Sequence, residues 1–389
     1  MSRRAISLVV YLQKALLSEI SVMSKRTTVA IVLPDLRPGG AEKLHVDLSR
    51  EWEKHGITTD FWLRSFSGDL IPSLPDTSSV FDLRSPRVRH VFFPLVSYLR
   101  EQKPDAVIAA MWPLTVIVPL AAKYAGFKGR VIVSEHSPLS LAYSKKGNLH
   151  RLMMKLTQRF CYPLSDVVVA VSSGVSRDLS QLSGIAASEF TVIHNPAAKG
   201  RVNFEVVRPA LLQDISGPLV LSVGTLKKVK RYDLLIEAFS KLPRDLNATL
   251  VIVGEGAERI ELEKLAERLN ISNKVLMPGY VDEPGPWYAH ADVFALSSEY
   301  EGFGNVIVEA LEYGLPVVST DCPFGPSEIL DCGKYGTLVT CNDSDALSAG
   351  IRMALSKRPD PELLLQRAKD FDIGVIAERY LDVMFPDRP

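Results

Sequence analysis

Two carboxylates, Glu301 and Glu309, bracket the string Glu301-Gly-Phe-Gly-Asn-Val-Ile-Val-Glu309. A Gly-x-Gly turn follows the first, and an apolar run with helical character carries the second. Ser297-Ser298 and the strand-like Val293-Phe-Ala-Leu296 precede the string, and Gly314-Leu-Pro316 and the strand-like Val317-Val-Ser-Thr320 follow it. The unit reads as strand, glycine loop, helix, strand. The first turn of such a helix presents free backbone N–H groups and the positive end of its dipole, which favour an anion, typically a phosphate. Glu301 lies in the loop facing that position, and Glu309, one turn into the helix, can reach a hydroxyl beside the phosphate. Taken alone, Glu309 would read as part of a solvated helix face with Asn305 and Glu312.

The whole string resembles the E-G-F-G-x-x-x-x-E signature of the retaining glycosyltransferases of family 4, which are built on the GT-B fold. The resemblance runs from about Val29 to Met384 and is strongest between Leu219 and Val339. It implies that Glu301 sits at a donor sugar and Glu309 at a nucleotide ribose, with Gly302, Phe303, Gly304 and Asn305 forming the loop around them. Family members carry Gly-Arg-Leu and a later lysine, whose two cations clamp the donor diphosphate. Here Gly224, Leu226 and Lys230 match, but Thr225 stands where the arginine would be. An arginine is not simply replaced at a bidentate phosphate site, and Lys227 or Lys228 could compensate.

Three further loops follow strand-like runs. Gly39-Gly40-Ala41-Glu42 resembles the glycine loop by which family members approach the donor phosphate, since glycine lets backbone come close and a helix N-terminus favours an anion. Ser134-Glu-His136 ends another strand, where active-site loops of α/β sheets lie. The resemblance implies that His136 contacts the donor sugar, with Glu135 able to orient it. Gly279-Tyr-Val281 ends a third, and by resemblance the backbone near Tyr280 and Val281 faces the nucleotide base. Gly254-Glu-Gly256 lacks a third glycine, so a dinucleotide fingerprint fails. Asp321-Cys-Pro-Phe-Gly-Pro-Ser-Glu-Ile-Leu330 resembles a rigid cleft loop of transferases that build bacterial surface glycans. Asp343-Ser-Asp345 and Asp370-Phe-Asp372 fit the metal-holding Asp-x-Asp string of the other major transferase fold, but both stand where a helix should begin and read as N-caps. No metal and no cofactor is expected.

Elements must alternate to place these loops together. Strand-like runs at Thr28–Leu33, Thr59–Leu63, Asp105–Ala109, Arg130–Ser134 and Asp166–Val171 are separated by helical stretches, such as Leu114–Gly126 and Leu149–Tyr162. Alternation restarts at Leu219–Gly224, Ala248–Gly254, Lys274–Met277 and Asp292–Leu296. The predicted fold is α/β: two Rossmann-like parallel-sheet domains facing across a cleft, with the C-terminal helix crossing back to the first. The boundaries are an N-terminal extension (1–25), an acceptor-binding domain (26–200), a linker (201–217), a nucleotide-sugar-binding domain (218–371) and the crossing helix (372–389). The extension reads as a segment upstream of the true start at Met23, an interrupted signal peptide or an amphipathic membrane helix.

At 389 residues the chain can fill two full cores. Lys+Arg and Asp+Glu both total 45, so net charge gives no reason to expect nucleic acid. The four cysteines have no CxxC spacing, which points to reduced cytosolic thiols. The expected reaction moves a hexose or N-acetylhexosamine from a nucleotide sugar, a UDP-sugar by preference, to a hydroxyl of a growing glycan. Catalysis would fall to Glu301, His136 and Lys230. The likeness to surface-glycan transferases suggests a lipid-linked acceptor at the inner face of the cytoplasmic membrane. Peripheral contact could come from Val91–Leu99 with Arg84, Arg87, Arg89 and Arg100, unless that stretch is a helix packed into the first domain. A nucleotide-sugar epimerase on the same scaffold and an inactive partner subunit are the competing classes. The paired glutamates argue against the first, and the retained Lys230 against the second.

Overall fold

A computed structural model describes residues 27–200 and 206–388. The expected extension 1–25 and residues 201–205 of the expected linker lie outside the described residues. Two parallel sheets form the frame. The first contains β1 (Thr28–Leu33), β2 (Thr58–Leu63), β3 (Ser79–Asp82), β4 (Ala106–Ala110), β5 (Arg130–Glu135), β6 (Val167–Ala170) and β7 (Phe190–Val192), in the order β3-β2-β1-β4-β5-β6-β7. The second contains β8 (Leu219–Val223), β9 (Thr249–Val253), β10 (Val275–Gly279), β11 (Val293–Leu296), β12 (Val317–Thr320) and β13 (Thr337–Val339), in the order β10-β9-β8-β11-β12-β13. The helices of eight or more residues are α1 (Gly40–Lys54), α2 (Phe92–Gln102), α3 (Leu114–Ala125), α4 (Asn148–Cys161), α5 (Ser173–Ser183), α6 (Tyr232–Ser240), α7 (Arg259–Arg268), α8 (Asn305–Glu312), α9 (Ser344–Ser356), α10 (Pro361–Ala368) and α11 (Ile373–Met384).

The central strands are buried on both faces, which is why they read in sequence as unbroken Val, Ile, Leu and Ala runs: every residue of β4 and β9 is buried. The helix starts follow local chemistry. Ser172 caps α5 by accepting from the Val175 N–H, Asp343 caps α9 by accepting from Asp345 and Ala346, and Asp372 caps α11 by accepting from Gly374. Both Asp-x-Asp strings thus end in capping work. Strand order reverses at β1, flanked by β2 and β4, and at β8, flanked by β9 and β11. Ligand crevices of open α/β sheets form outside the carboxyl ends of strands at such switch points. The loops after β1, β8 and β11, which carry Gly39, Lys230 and Glu301, are those loops.

Gly254 and Gly256 have a structural reason of their own. A Cβ on Gly254 would stand 2.0 Å from the Gly224 carbonyl oxygen, and one on Gly256 would stand 2.4 Å from that of Leu226. The two glycines let the loop after β9 press backbone to backbone against the loop after β8. In the first domain Val91, Leu95, Val96 and Leu99 are buried, while Arg84, Arg87, Arg89 and Arg100 are exposed. The stretch Val91–Leu99 therefore turns Val91, Leu95, Val96 and Leu99 inward, with Phe93 left 71% exposed.

The C-terminal helix does cross back. The Trp52 indole Nε1 of α1 donates to the Ala377 carbonyl at 3.1 Å, Arg130 donates to Val383 at 3.1 Å, and the Tyr380 hydroxyl lies 3.1 Å from Ser134 Oγ. Ile376, Ala377, Leu381 and Met384 share one buried cluster with Val29, Ile31 and Leu33 of β1. Trp52 is fully buried and meets the Tyr380 ring edge to face at 6.1 Å. Truncating it leaves a large cavity at the seam between α1 and α11. Trp52→Ala is expected to destabilise the first domain by about 3–5 kcal/mol. Amides of 373–384 should lose hydrogen-exchange protection before those of the second sheet; unchanged protection there would mean α11 is held by other contacts.

Candidate active site

Lys230 follows β8 at the end of a short 3-10 turn and reaches Glu301, which follows β11: Nζ to Oε1 is 2.6 Å. Ser298 Oγ donates to the same carboxylate oxygen at 2.6 Å, and Ser297 Oγ donates to the Lys230 carbonyl at 2.8 Å. The two serines that follow β11 thus tie both members of the ion pair to the loop. Only 11% of the Glu301 side chain and 21% of that of Lys230 are exposed. Pairs this sheltered are screened far less than surface ones. Gly224 passes beneath the lysine stem, where a Cβ would lie 2.9 Å from the Tyr232 hydroxyl. Thr225, Lys227 and Lys228 are exposed on the loop surface.

Gly304 takes a left-handed conformation, φ +106°, and opens α8, so the first N–H groups of that helix point out of its end beside the Lys230–Glu301 pair. Asn305, the first residue of α8, accepts from the Asn195 side-chain amide of the first domain at 2.8 Å. Glu309 is partly buried, and the Tyr288 hydroxyl donates to its Oε2 at 2.8 Å. Burial pushes its pKa up; the Tyr288 bond and the positive charges of Lys199 and Lys43 offset part of that rise. Lys43 belongs to the first turn of α1, so the Gly39-Gly40 end of that helix lies across from Glu309. A Cβ on Gly40 would meet open space, so nothing in the protein itself demands glycine there.

His136 and Gly302 mark where the two domains touch. A Cβ on Gly302 would stand 2.0 Å from the His136 carbonyl oxygen. Ser172 Oγ donates to the Gly302 carbonyl at 3.0 Å. The His136 ring turns back into the first domain, with Nε2 3.0 Å from Ser134 Oγ and Nδ1 buried without a hydrogen-bond partner. Burial first, then the neighbouring His45 ring at 5.4 Å, push its pKa down to about 3. The imidazole is therefore neutral and offers a hydrogen bond, not a charge.

Two expectations for this region need correction. The Phe303 ring is buried between His194, stacked at 5.2 Å, and Phe371 at 5.4 Å. It anchors the loop, and only its backbone is left for a ligand. Glu135 does not orient His136. Its side chain points to the other side of β5, where Thr115 and Tyr162 hydroxyls donate to Oε1, the latter at 2.7 Å, while Oε2 has no partner. Alternation along a strand sends neighbouring side chains to opposite faces. Tyr280 is exposed with its ring in solvent, Val281 is half-buried beside it, and the charge of Asp69 in the first domain is close enough to act on the Tyr280 hydroxyl.

Sequence reasoning passed over Glu328. It accepts from Ser173 N at 2.9 Å and Oγ at 3.0 Å, and His194 Nε2 lies 2.6 Å away. Burial raises its pKa, but the His194 and Ser173 bonds outweigh that and hold it below the ordinary glutamate value. Glu328 lies in the rigid loop after β12 and clasps the start of α5. A Cβ on Gly325 of the same loop would stand 1.8 Å from the Phe303 carbonyl oxygen. The available signal was Ser172-Ser173 ahead of a helix, an anion-ready N-terminus with no acidic residue of its own nearby.

Residues 204–371 match the model of glycosyl transferases group 1, and residues 38–198 match that of glycosyltransferase family 4. The chain is 32% identical over 266 residues to the Campylobacter jejuni N-acetylgalactosamine-N,N'-diacetylbacillosaminyl-diphospho-undecaprenol 4-alpha-N-acetylgalactosaminyltransferase, covering 67% of this chain and 71% of that one. It is 28% identical to the lipopolysaccharide core biosynthesis glycosyltransferase LpsE of Rhizobium meliloti, covering 90% and 96%. Among solved structures, Anabaena HepE in complex with UDP superposes with a TM-score of 0.75 at 21% identity, covering 92% and 99%. The two sheets, the switch-point loops and these matches define a GT-B glycosyltransferase. The chain belongs to the group 1, family 4 glycosyltransferases.

Glu135 provides a test of the site's scaffold. Burial raises its pKa from 4.5 to about 7, so the folded protein holds a proton that the unfolded chain has released. Glu135's contribution to stability is therefore fullest below pH 4.5 and declines as pH rises toward 7, by about 3 kcal/mol in total. Glu135→Gln removes the titration while keeping an acceptor for Thr115 and Tyr162. Between pH 5 and pH 8 the wild type should lose more denaturant resistance than the variant; parallel profiles would place the charge elsewhere.

Proposed function

We propose that this glycosyltransferase is a retaining hexosyl- or N-acetylhexosaminyltransferase that uses a UDP-sugar without a metal ion and acts on a lipid-linked glycan at the inner face of the cytoplasmic membrane. The observation that carries the reading is the sheltered Lys230–Glu301 pair at the open N-terminus of α8. Lys230 and the N–H groups of Gly304 and Asn305 suit the charge that builds on a departing diphosphate. Glu301 accepts from donor-sugar hydroxyls and fixes their orientation. Glu309 has one oxygen held by Tyr288, and the charges of Lys199 and Lys43 favour its ionised form, so it can accept from the ribose. The open space above Gly40 admits phosphate oxygens close to the backbone. Neutral His136 keeps Nε2 on Ser134 and has Nδ1 unpaired by the protein, so Nδ1 is the one ring atom it has left for the sugar.

In the transfer, the acceptor oxygen bonds to the anomeric carbon from the face the diphosphate leaves. The carbon–phosphate-oxygen bond breaks, and the acceptor proton passes to the leaving oxygen. No strong protein base is then required, and what the protein supplies is stabilisation of charge in the transition state. The lipid-linked acceptor is supported by the names of relatives that act on diphospho-undecaprenol glycans. Among the described residues no helix is long and apolar enough to cross a membrane.

Glu309→Ala should weaken UDP binding by about 1–3 kcal/mol in calorimetry, through loss of charge-assisted hydrogen bonds, while the fold survives. Equal affinity would remove Glu309 from the nucleotide site. Turnover should persist in EDTA, because Asp343 and Asp372 are engaged as helix caps. Loss of activity restored by Mn²⁺ or Mg²⁺ would overturn the metal-free reading. An α-linked product from an α-linked donor, seen by NMR, confirms retention, and a β-linked one refutes it.

A further inference from the structure

Helix α4 is seated inside out. Its inward positions include Gln158, fully buried with neither amide atom hydrogen-bonded, beside Met154. Its outward positions are Leu149, Leu152, Met153, Leu156 and Phe160, between 44% and 74% exposed. The spacing i, i+3, i+4, i+7 and i+11 gathers these side chains into one apolar stripe. A water-facing helix of a globular domain carries the opposite pattern. Arg151, Lys155 and Arg159 repeat every four residues along one border of the stripe, and Lys145 and Lys146 precede the helix; all five are exposed. No Asp or Glu occurs between His136 and Ser165. The apolar exposure continues onto α3, which packs against α4 and leaves Leu120 and Tyr124 in solvent.

We infer that the α4 face docks on an anionic lipid bilayer, with the apolar stripe entering the headgroup–acyl boundary and the cations resting on the charged surface. An apolar stripe bordered by Lys and Arg is the pattern of a helix lying in a membrane interface. A second copy of the chain does not fit as well, because a two-fold contact would set this uniformly basic face against itself. The loop from His136 leads into α4, so a bilayer under α4 meets the first domain beside its contact with the sugar-handling loop. The inference deepens the reading of a lipid-linked acceptor and supplies the surface for it. It differs from the contact expected from Val91–Leu99, where Phe93 is the only exposed apolar side chain.

The test is co-sedimentation of the full chain with phosphatidylcholine vesicles, with and without phosphatidylglycerol, at low salt and containing no glycan. The wild type should be retained by the anionic vesicles. Leu152→Glu/Phe160→Glu should reduce retention roughly tenfold or more, and Lys155→Ala/Arg159→Ala should reduce it by roughly fivefold per cation. Ile260→Glu, an exposed apolar site on α7, should change nothing. Equal retention of wild type and both double variants overturns the proposal. So does wild-type retention no greater on anionic than on neutral vesicles. It also falls if the wild type sediments as a dimer that Leu152→Glu/Phe160→Glu dissolves while vesicles retain neither. UDP affinity, measured on each variant, should match that of the wild type; failure of the wild type to bind UDP would count against the donor reading and leave the vesicle result standing.

Discussion

Residue 302 has no room for a side chain, and the site is organised around that fact. The loop after β11 runs so close to the end of β5 that a single Cβ would fall onto the His136 carbonyl oxygen. The carboxyl ends of two independent sheets are thereby brought to van der Waals distance at one point. Around it, Ser172 holds the Gly302 carbonyl, Asn195 holds Asn305, and Glu328 holds Ser173 and His194. Each of these contacts is polar and crosses from one domain to the other. Apolar packing crosses there too: a Cβ on Gly174 would stand 2.8 Å from Phe324, and the Phe303 ring stacks on His194. The Lys230–Glu301 pair, by contrast, lies wholly within the second domain and does not depend on how the domains meet.

The frame was legible in the sequence because parallel strands buried on both faces leave unbroken apolar runs. Nine internal strands were legible, most of them in this way, and the edge strand β10 was read from Val275-Leu-Met277. The ones that were not, β3, β7 and β13, are all sheet edges, three or four residues long and partly open to solvent. An edge strand has one neighbour and little apolar requirement, so its residues carry no distinctive pattern. Ordering of helices was similarly clear where capping residues stand ahead of an apolar period, as at Asp343 and Asp372.

Site residues were legible as positions and less so as orientations. Glu301 and Lys230, singled out separately in the sequence, meet in an ion pair, and Glu309 feels the charges of Lys43 and Lys199 from the opposite domain. Whether a ring or carboxylate points into a cleft depends on strand phase and on packing partners from other elements of the chain. Phe303 turns into the His194–Phe371 stack because Phe371 arrives from the far end of the chain. Glu135 turns away from His136 because consecutive residues of β5 face opposite sides of the sheet. Glu328 carried no motif, since its partner is the bare N-terminus of a helix 155 positions earlier in the chain. The outward stripe of α4 is visible as periodicity, but only the fold reveals that it faces away from the core.

The crossing of α11 also sets an order of events in synthesis. One face of the first sheet relies on Ile376, Ala377, Tyr380, Leu381 and Met384 for cover, and Trp52 on the Ala377 carbonyl for its indole N–H. A ribosome delivers the strands of that sheet first and the helix that seals them last, after the entire second domain. The growing chain must therefore carry an open apolar face through the making of some 180 further residues beyond β7. Ser134, which holds His136 from behind, gains its Tyr380 partner only at that final step. The site thus acquires its full support only when the chain is nearly complete, so a message truncated shortly before α11 would yield a protein that carries every sugar-handling loop but lacks the element that fastens the first domain.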